Sequence, residues 1–147
     1  MDIRIAQSAD LDAWADLRLA LWPWNEREDL LQGSRVMLDN AHEVAFIAWQ
    51  DDQPIGLIEG QIRRGDDAQL YGHVEGWYVV DAARGKGVGG KLMDALSQWF
   101  LHHHIRTLFS DTIPDYPLSP AAHRAAGFEE VDRIIIFRKR LDTDTNR

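Results

Sequence analysis

The run Arg84-Gly85-Lys86-Gly87-Val88-Gly89-Gly90-Lys91 constrains this chain more than any other stretch. It follows an apolar, strand-like segment, Val74-Glu75-Gly76-Trp77-Tyr78-Val79-Val80, and runs into an amphipathic helix pattern that opens at Val88. Glycines let backbone N–H groups approach an oxygen-rich ligand, because no Cβ stands between them. A helix starting there adds unpaired N–H donors and the positive end of its dipole. Arg84, Lys86 and Lys91 add full charges. Strand, glycine loop and helix together predict an α/β domain with a seat for a pyrophosphate. The plainer reading is a glycine-rich helix start that binds nothing.

Two nucleotide-site patterns compete for this loop. Gly85, Gly87 and Gly90 fit G-x-G-x-x-G, and Asp111 lies about 20 residues on, where a ribose-binding acid is expected. The context argues against it: Asp81 to Arg84 separate the strand from the first glycine, whereas the dinucleotide turn is tight. Residues 91–147 are also too few for the rest of a doubly wound fold and a substrate domain. The second pattern is [Arg/Gln]-x-x-Gly-x-[Gly/Ala], met by Arg84, Gly87 and Gly89. With Val80-Asp81-Ala82-Ala83 as a strand exit and Gly127-Phe128 after the last helix, the chain resembles the GCN5-related N-acetyltransferase superfamily. The resemblance covers nearly the whole chain. It implies that acetyl-CoA is the co-substrate and that this loop binds its pyrophosphate.

Hydrophobic periodicity divides the chain into alternating strands and helices. A short strand at Asp2 to Ala6 is followed by a helix from Ala9 to Leu21, capped by Ser8, with Leu11, Trp14, Leu17 and Leu21 on one side. Arg18 falls at the margin of that side, its stem packed and its head reaching water. Pro23 ends this helix, and a second spans Arg27 to Asp39. Val44 to Gln50 and Ile55 to Arg63 form a hairpin around Asp51-Asp52-Gln53-Pro54. Tyr71 to Val80 leads into the glycine loop, Val88 to Phe100 is the third helix, and Ile105 to Ser110 a further strand. Pro117 to Ala126 reads as a short helix closed by Gly127. Phe128 to Arg138 reads as a last strand, with Ile134-Ile135-Ile136-Phe137 buried on both faces. The expected fold is one α/β domain over residues 1–141, with a polar, disordered tail at 142–147. By the resemblance it has a mixed central sheet with a splayed strand pair and flanking helices.

Glu75 carries the first candidate chemistry. A carboxylate among apolar strand residues is costly unless it is paired or faces a cleft. Gly76 beside it suggests a bulge or a close backbone approach. In the resembled superfamily this strand splays from its neighbour and the gap admits the thioester, which would set Glu75 against the acceptor amine as its base. An edge carboxylate in solvent is the alternative. Asp111 ends the neighbouring strand; it either completes an anionic mouth or caps a turn.

Further matches narrow the resemblance to aminoglycoside 6′-N-acetyltransferases. They are Ser110-Asp111-Thr112, His123 ahead of Gly127-Phe128-Glu129-Glu130, Arg138-Lys139, Met1-Asp2-Ile3-Arg4, Leu21-Trp22-Pro23, Phe46-Ile47-Ala48 and Val74-Glu75-Gly76. By that likeness Trp22, Glu75, Asp111 and Asp132 line the aminoglycoside site. Trp77, Tyr78 and Val79 bind the pantetheine by backbone pairing; Gly85, Lys86, Gly87, Val88, Gly89 and Gly90 hold the pyrophosphate with Arg84. The chain departs from relatives at Trp24-Asn25-Glu26 and in the short loop from Gly65 to Gln69, which puts antibiotic range in question. Trp22 and Trp24 can stack on sugars and attract ammonium groups, though core packing is expected for one of them. Tyr116 and His123 fall where the superfamily has Asn and Tyr; either His123 donates a proton to the leaving thiolate or both pack against the cofactor. His102-His103-His104 point in different directions on a helix, so no metal site is expected.

Composition narrows the rest. A length of 147 residues suits one core. With no cysteine there is no disulfide, thiolate zinc site or cysteine nucleophile. A net charge of −8, from 24 acids against 16 bases, disfavours nucleic acid and suits either a cationic substrate or simple solubility. No apolar run approaches the roughly 20 residues of a membrane span, and no signal peptide is visible, so a cytoplasmic enzyme is expected. Apolar strands near the C-terminus leave an edge to protect, and the resembled enzymes are often dimers; a homodimer is expected. The leading reading is acetyl transfer to the 6′-amine of aminoglycosides. The alternatives are another amine, such as a polyamine or protein N-terminus, and a non-catalytic acyl-CoA sensor.

Overall fold

The computed structural model describes residues 1–112 and 118–141. Five strands form one sheet in the order β1 (Asp2–Ile5), β2 (Glu43–Gln50), β3 (Gln53–Arg64), β4 (Leu70–Val79) and β5 (Leu108–Phe109). Neighbours are antiparallel except β4 and β5, which are parallel. The β2–β3 hairpin turns through Asp51 and Asp52, both at positive φ (51° and 63°), a conformation that short acidic side chains tolerate.

Alternation along the strands splits the core in two. One face, with Val44, Ala48, Ile58 and Val74, packs on α3 (Val88–His102) through Val88, Leu92, Met93, Leu96 and Phe100. The other face, with Ala45, Ile47 and Leu57, takes Trp14 and Leu17 of α1 (Leu11–Leu21). Helix α2 (Arg27–Leu38) lies beside α1 and buries Leu30, Leu31 and Ser34. A short α4 (Ser119–Ala125) ends at Gly127, φ 91°. Small residues let α3 approach the sheet closely: a Cβ on Gly72 would sit 2.8 Å from the Phe100 ring, and one on Gly60 2.7 Å from Leu96 Cδ1.

Three expectations are corrected. Helix α1 is not capped by Ser8: a 3₁₀ turn, Ser8–Asp10, precedes it, and the Asp10 carboxylate accepts the Gln7 N–H at 2.9 Å. The Arg18 head is not free in solvent but binds buried Glu59, and only 13 % of the side chain is exposed. The last strand is absent as well. Residues 129–141 have no regular structure and are exposed, with Ile134, Ile135, Ile136 and Phe137 at 73–88 % exposure. Four consecutive apolar residues need cover on both faces, and within one copy the sheet stops at the two-residue β5. The expected tail, 142–147, lies outside the described residues.

Candidate active site

The glycine loop begins after a 3₁₀ turn, Asp81–Ala83, beyond the end of β4. Gly85 and Gly87 take φ of 76° and 81°, which side-chain-bearing residues rarely adopt. Gly87 is the N-cap of α3, and the first helical bond runs from Lys91 N–H to Gly87 C=O at 3.1 Å. The amides of Val88, Gly89 and Gly90 therefore have no partner within the helix. A Cβ on Gly85, Gly87 or Gly90 would meet nothing within 4 Å, so the chain itself does not require the bareness of this surface for packing. The Trp77 indole N–H donates to Gly89 C=O at 3.1 Å and fixes the helix start to β4. Arg84 turns back: its Nε donates to Val79 C=O at 2.9 Å and its Nη1 pairs with Asp81 at 2.9 Å.

The sheet opens beside this loop. β5 pairs with β4 only at Gly72↔Leu108 and His73↔Phe109, so β4 runs on from Val74 to Val79 without that neighbour. On its other edge Trp77, Tyr78 and Val79 stay paired to Ile58, Leu57 and Gly56. The β3–β4 register slips between Glu59 and Gly60, where Glu59 faces Gly76 and Gly60 faces Val74. Glu75 is the extra residue of this bulge, which turns its side chain toward α1 and α2. Both sequence signals at Gly76 hold: a Cβ there would lie 2.9 Å from Trp22 Cη2 and 3.1 Å from Leu21 Cδ2.

Below the bulge lies a cleft of about 490 Å³ bounded by Trp22, Met37, Glu43, Gln61 and Glu75, with Arg18 and Glu59 at its base. Glu59 is fully buried and receives Trp14 Nε1 (2.7 Å), Arg18 Nε (2.7 Å) and Arg18 Nη2 (3.0 Å). The Arg18 guanidinium also lies 5.3 Å from the Trp22 ring centroid. Glu75 is 30 % exposed; Arg63 Nη2 binds it at 2.6 Å, and His73 Nδ1 stands 3.4 Å away. The His73 imidazole, and then the Arg63 charge, hold its carboxyl below the usual glutamate range against the opposing effect of burial. Asp111 is largely exposed, and its Oδ2 is 3.4 Å from His73 Nε2. The structure thus joins Glu75 and Asp111 through a histidine that sequence reasoning missed. Only adjacency to the Glu75 strand and an i, i+2 spacing could have signalled it.

Other candidates fall elsewhere. His123 sits on the α3 side of the sheet, edge-on to Trp77 at 5.3 Å. Its Nδ1 contacts Ser119 C=O at 2.7 Å, and a carbonyl only accepts, so Nδ1 carries the proton. Nε2 then accepts from the Ser110 hydroxyl at 2.7 Å. Trp24 is 74 % exposed and does not line the cleft. Asp132 lies in the exposed C-terminal segment, where it accepts the Arg133 N–H at 2.8 Å, and it does not line the cleft that holds Glu75. Tyr116 lies outside the described residues. His103 bonds Trp99 C=O at 2.8 Å, as a helix-end histidine.

A parallel pair that parts beside a helix start with unpartnered amides is the arrangement of acyl-CoA-dependent transferases. Residues 11–128 match the family described as Acetyltransferase (GNAT) family. The chain belongs to that family. It is 38 % identical over 145 residues to an aminoglycoside N(6′)-acetyltransferase type 1 of Stenotrophomonas maltophilia, covering 95 % of this chain and 94 % of that one. A protein of the same description from Salmonella typhimurium is 35 % identical, covering 95 % and 99 %. Among solved structures, AAC(6′)-Iy in complex with the bisubstrate analog CoA-S-monomethyl-acetylneamine superposes with a TM-score of 0.88 at 34 % identity, covering 95 % and 98 %.

Proposed function

We propose that this chain is an acetyl-CoA-dependent aminoglycoside 6′-N-acetyltransferase, a resistance enzyme. The observation that carries the reading is one opening in the sheet with opposite charge preferences at its two ends. Beyond the end of β4, the α3 amides with Lys86 and Lys91 suit the pyrophosphate; each charge-assisted bond is worth about 1.5–3 kcal/mol. Arg84 shapes this end by tying the loop to Val79. Around the bulge, Glu75 and Asp111 suit ammonium groups, and Trp22 offers a face for a sugar ring. The pantetheine arm would run along the β4 edge that β5 leaves unpaired, at Trp77 to Val79.

The chemistry follows from this placement. The 6′-ammonium gives one proton to the Glu75 carboxylate, directly or through water. The free amine attacks the thioester carbonyl carbon, forming the N–C bond as the carbonyl π pair moves to oxygen. The intermediate collapses, the C–S bond breaks, and the thiolate takes the second amine proton. His123 does not supply that proton as the neutral ring: its Nδ1–H is held by Ser119 C=O and its Nε2 accepts from Ser110, which leaves it packed edge-on against Trp77. A polyamine would satisfy the same carboxylates; the full-length likeness to aminoglycoside enzymes favours the antibiotic. A sensor would have no use for Glu75 in the opening.

We also assign a second copy as cover for residues 129–141, making the enzyme a homodimer, and place it in the cytoplasm, where acetyl-CoA is made and used. The direct test of function is thiol release from acetyl-CoA with matched kanamycin-like acceptors bearing a 6′-amine or a 6′-hydroxyl. Turnover with the amine alone is expected. Equal rates with both, or turnover only with polyamines, would refute the assignment.

A further inference from the structure

His73 stands where the sheet divides. Its Cα partners are Gln61 on β3 and Phe109 on β5, and the next residues of β4 have no β5 neighbour. The side chain is 12 % exposed. One ring spans the two acids: Nδ1 is 3.4 Å from Glu75 Oε1, and Nε2 is 3.4 Å from Asp111 Oδ2. Nδ1 is buried and makes no aligned hydrogen bond. A neutral imidazole has one N–H and one lone pair, so it can donate to one of these carboxylates while its lone pair faces the other. The imidazolium presents an N–H and a positive charge to both. The ring therefore has two states with different consequences for any cation arriving at the same acids.

We propose that His73 is a positioning residue of the acceptor site whose protonation competes with the cationic acceptor. As imidazolium it holds Glu75 to Asp111 and cancels one of their two charges. As imidazole it leaves a carboxylate available to an ammonium group. The other charged and titratable groups around this seam are Arg63 and Glu59 on β3, Tyr71 on β4 against Phe109, Arg18 on α1, and Glu43 on β2 at the far end of the cleft. Arg63 binds Glu75 at 2.6 Å, and a guanidinium does not lose its proton in proteins, so it sets a constant background. The inference rests on the aminoglycoside reading and adds its pH regulation.

The sign follows from linkage. A proton that must leave before the ligand binds makes affinity rise with pH, by up to about tenfold per pH unit where the imidazolium dominates. The probe is a 6′-hydroxyl aminoglycoside, which has no 6′-amine to be acetylated, titrated into the protein by calorimetry in buffers of different ionisation enthalpy. Parent protein and His73→Gln are compared, because glutamine keeps a donor and does not titrate. The parent is expected to release more protons per ligand than His73→Gln, and to lose affinity more steeply toward low pH. His73→Phe, which keeps the ring's bulk, should share the shallow profile. Equal proton counts and equal slopes in parent and variants would overturn the role of His73 alone. Failure of the parent to bind this probe at any pH would overturn the aminoglycoside reading, and this inference with it.

Discussion

At the residue scale, the carboxylates of the opening differ in how the protein holds them. Glu75 is bound by Arg63 with His73 3.4 Å away, whereas Asp111 is exposed and has His73 as its one ion-pair partner among the described residues. Asp111→Asn should therefore raise the acceptor KM several-fold and leave kcat and the unfolding midpoint nearly unchanged. Glu75→Gln should lower kcat as well, since it removes the proton acceptor. Steady-state kinetics with the aminoglycoside varied separate the two; the same loss in both variants would contradict the division of roles. Glu75 also has a pH signature. Its folded pKa is depressed, so its contribution to stability is complete above the unfolded value and lost as pH falls through the lower folded value. Urea midpoints of parent and Glu75→Gln should then converge only below the ordinary glutamate range. Convergence already at neutral pH would show the carboxylate to be unpaired in solution.

At the element scale, two attachments set the site. The first is the buried Arg18–Glu59 pair, which joins α1 to β3 beneath the cleft. Arg18→Met leaves a carboxylate buried at 0 % exposure with only the Trp14 N–H, and the loss should be on the order of 3–5 kcal/mol. Chemical denaturation measures it; a change below about 1 kcal/mol, the scale of an exposed ion pair, would contradict the burial. The second is the start of α3. Gly90→Ala meets nothing within 4 Å and stands in ordinary helical backbone, so it should keep the fold or stabilise it by about 0.4–1 kcal/mol. If the pyrophosphate lies on these amides, the new methyl group should still weaken acetyl-CoA binding by calorimetry. Unchanged affinity would move the cofactor off the helix start. Gly87→Val is a poorer probe, because φ of 81° strains any β-branched residue and confounds folding with binding. The glycine loop and the bulge beside it were legible in the sequence because glycine among strand and helix formers has few uses. Arg18 was misread for a physical reason: a helix-margin arginine is ordinarily a surface residue, and its partner lies 41 positions away on strand β3. His73 was missed similarly, since its two carboxylates converge only once β4 and β5 are paired.

At the scale of the whole molecule, the sequence supported the sheet and its helices because hydrophobic periodicity is local, whereas the opening between β4 and β5 was expected from the family resemblance alone. The sequence did not support the fate of residues 128–138. Periodicity marks Ile134-Ile135-Ile136-Phe137 for burial but says nothing of which copy covers them. In a single chain these residues are 73–88 % exposed, beside a sheet that ends in a two-residue strand. Sedimentation at micromolar concentration should show a species of twice the 16.8 kDa chain mass, and charged substitutions at Ile135 and Phe137 should halve it. A parent protein that sediments only as a monomer would contradict the second copy. The central claim is that one opening presents a thioester to the 6′-amine of a multiply charged aminoglycoside. The most direct measurement is the position of the acetyl group on the product formed from acetyl-CoA and an aminoglycoside with several free amines, read by NMR. The account predicts a single product acetylated at the 6′-nitrogen. Acetylation at any other nitrogen, or a mixture of positions, would contradict it.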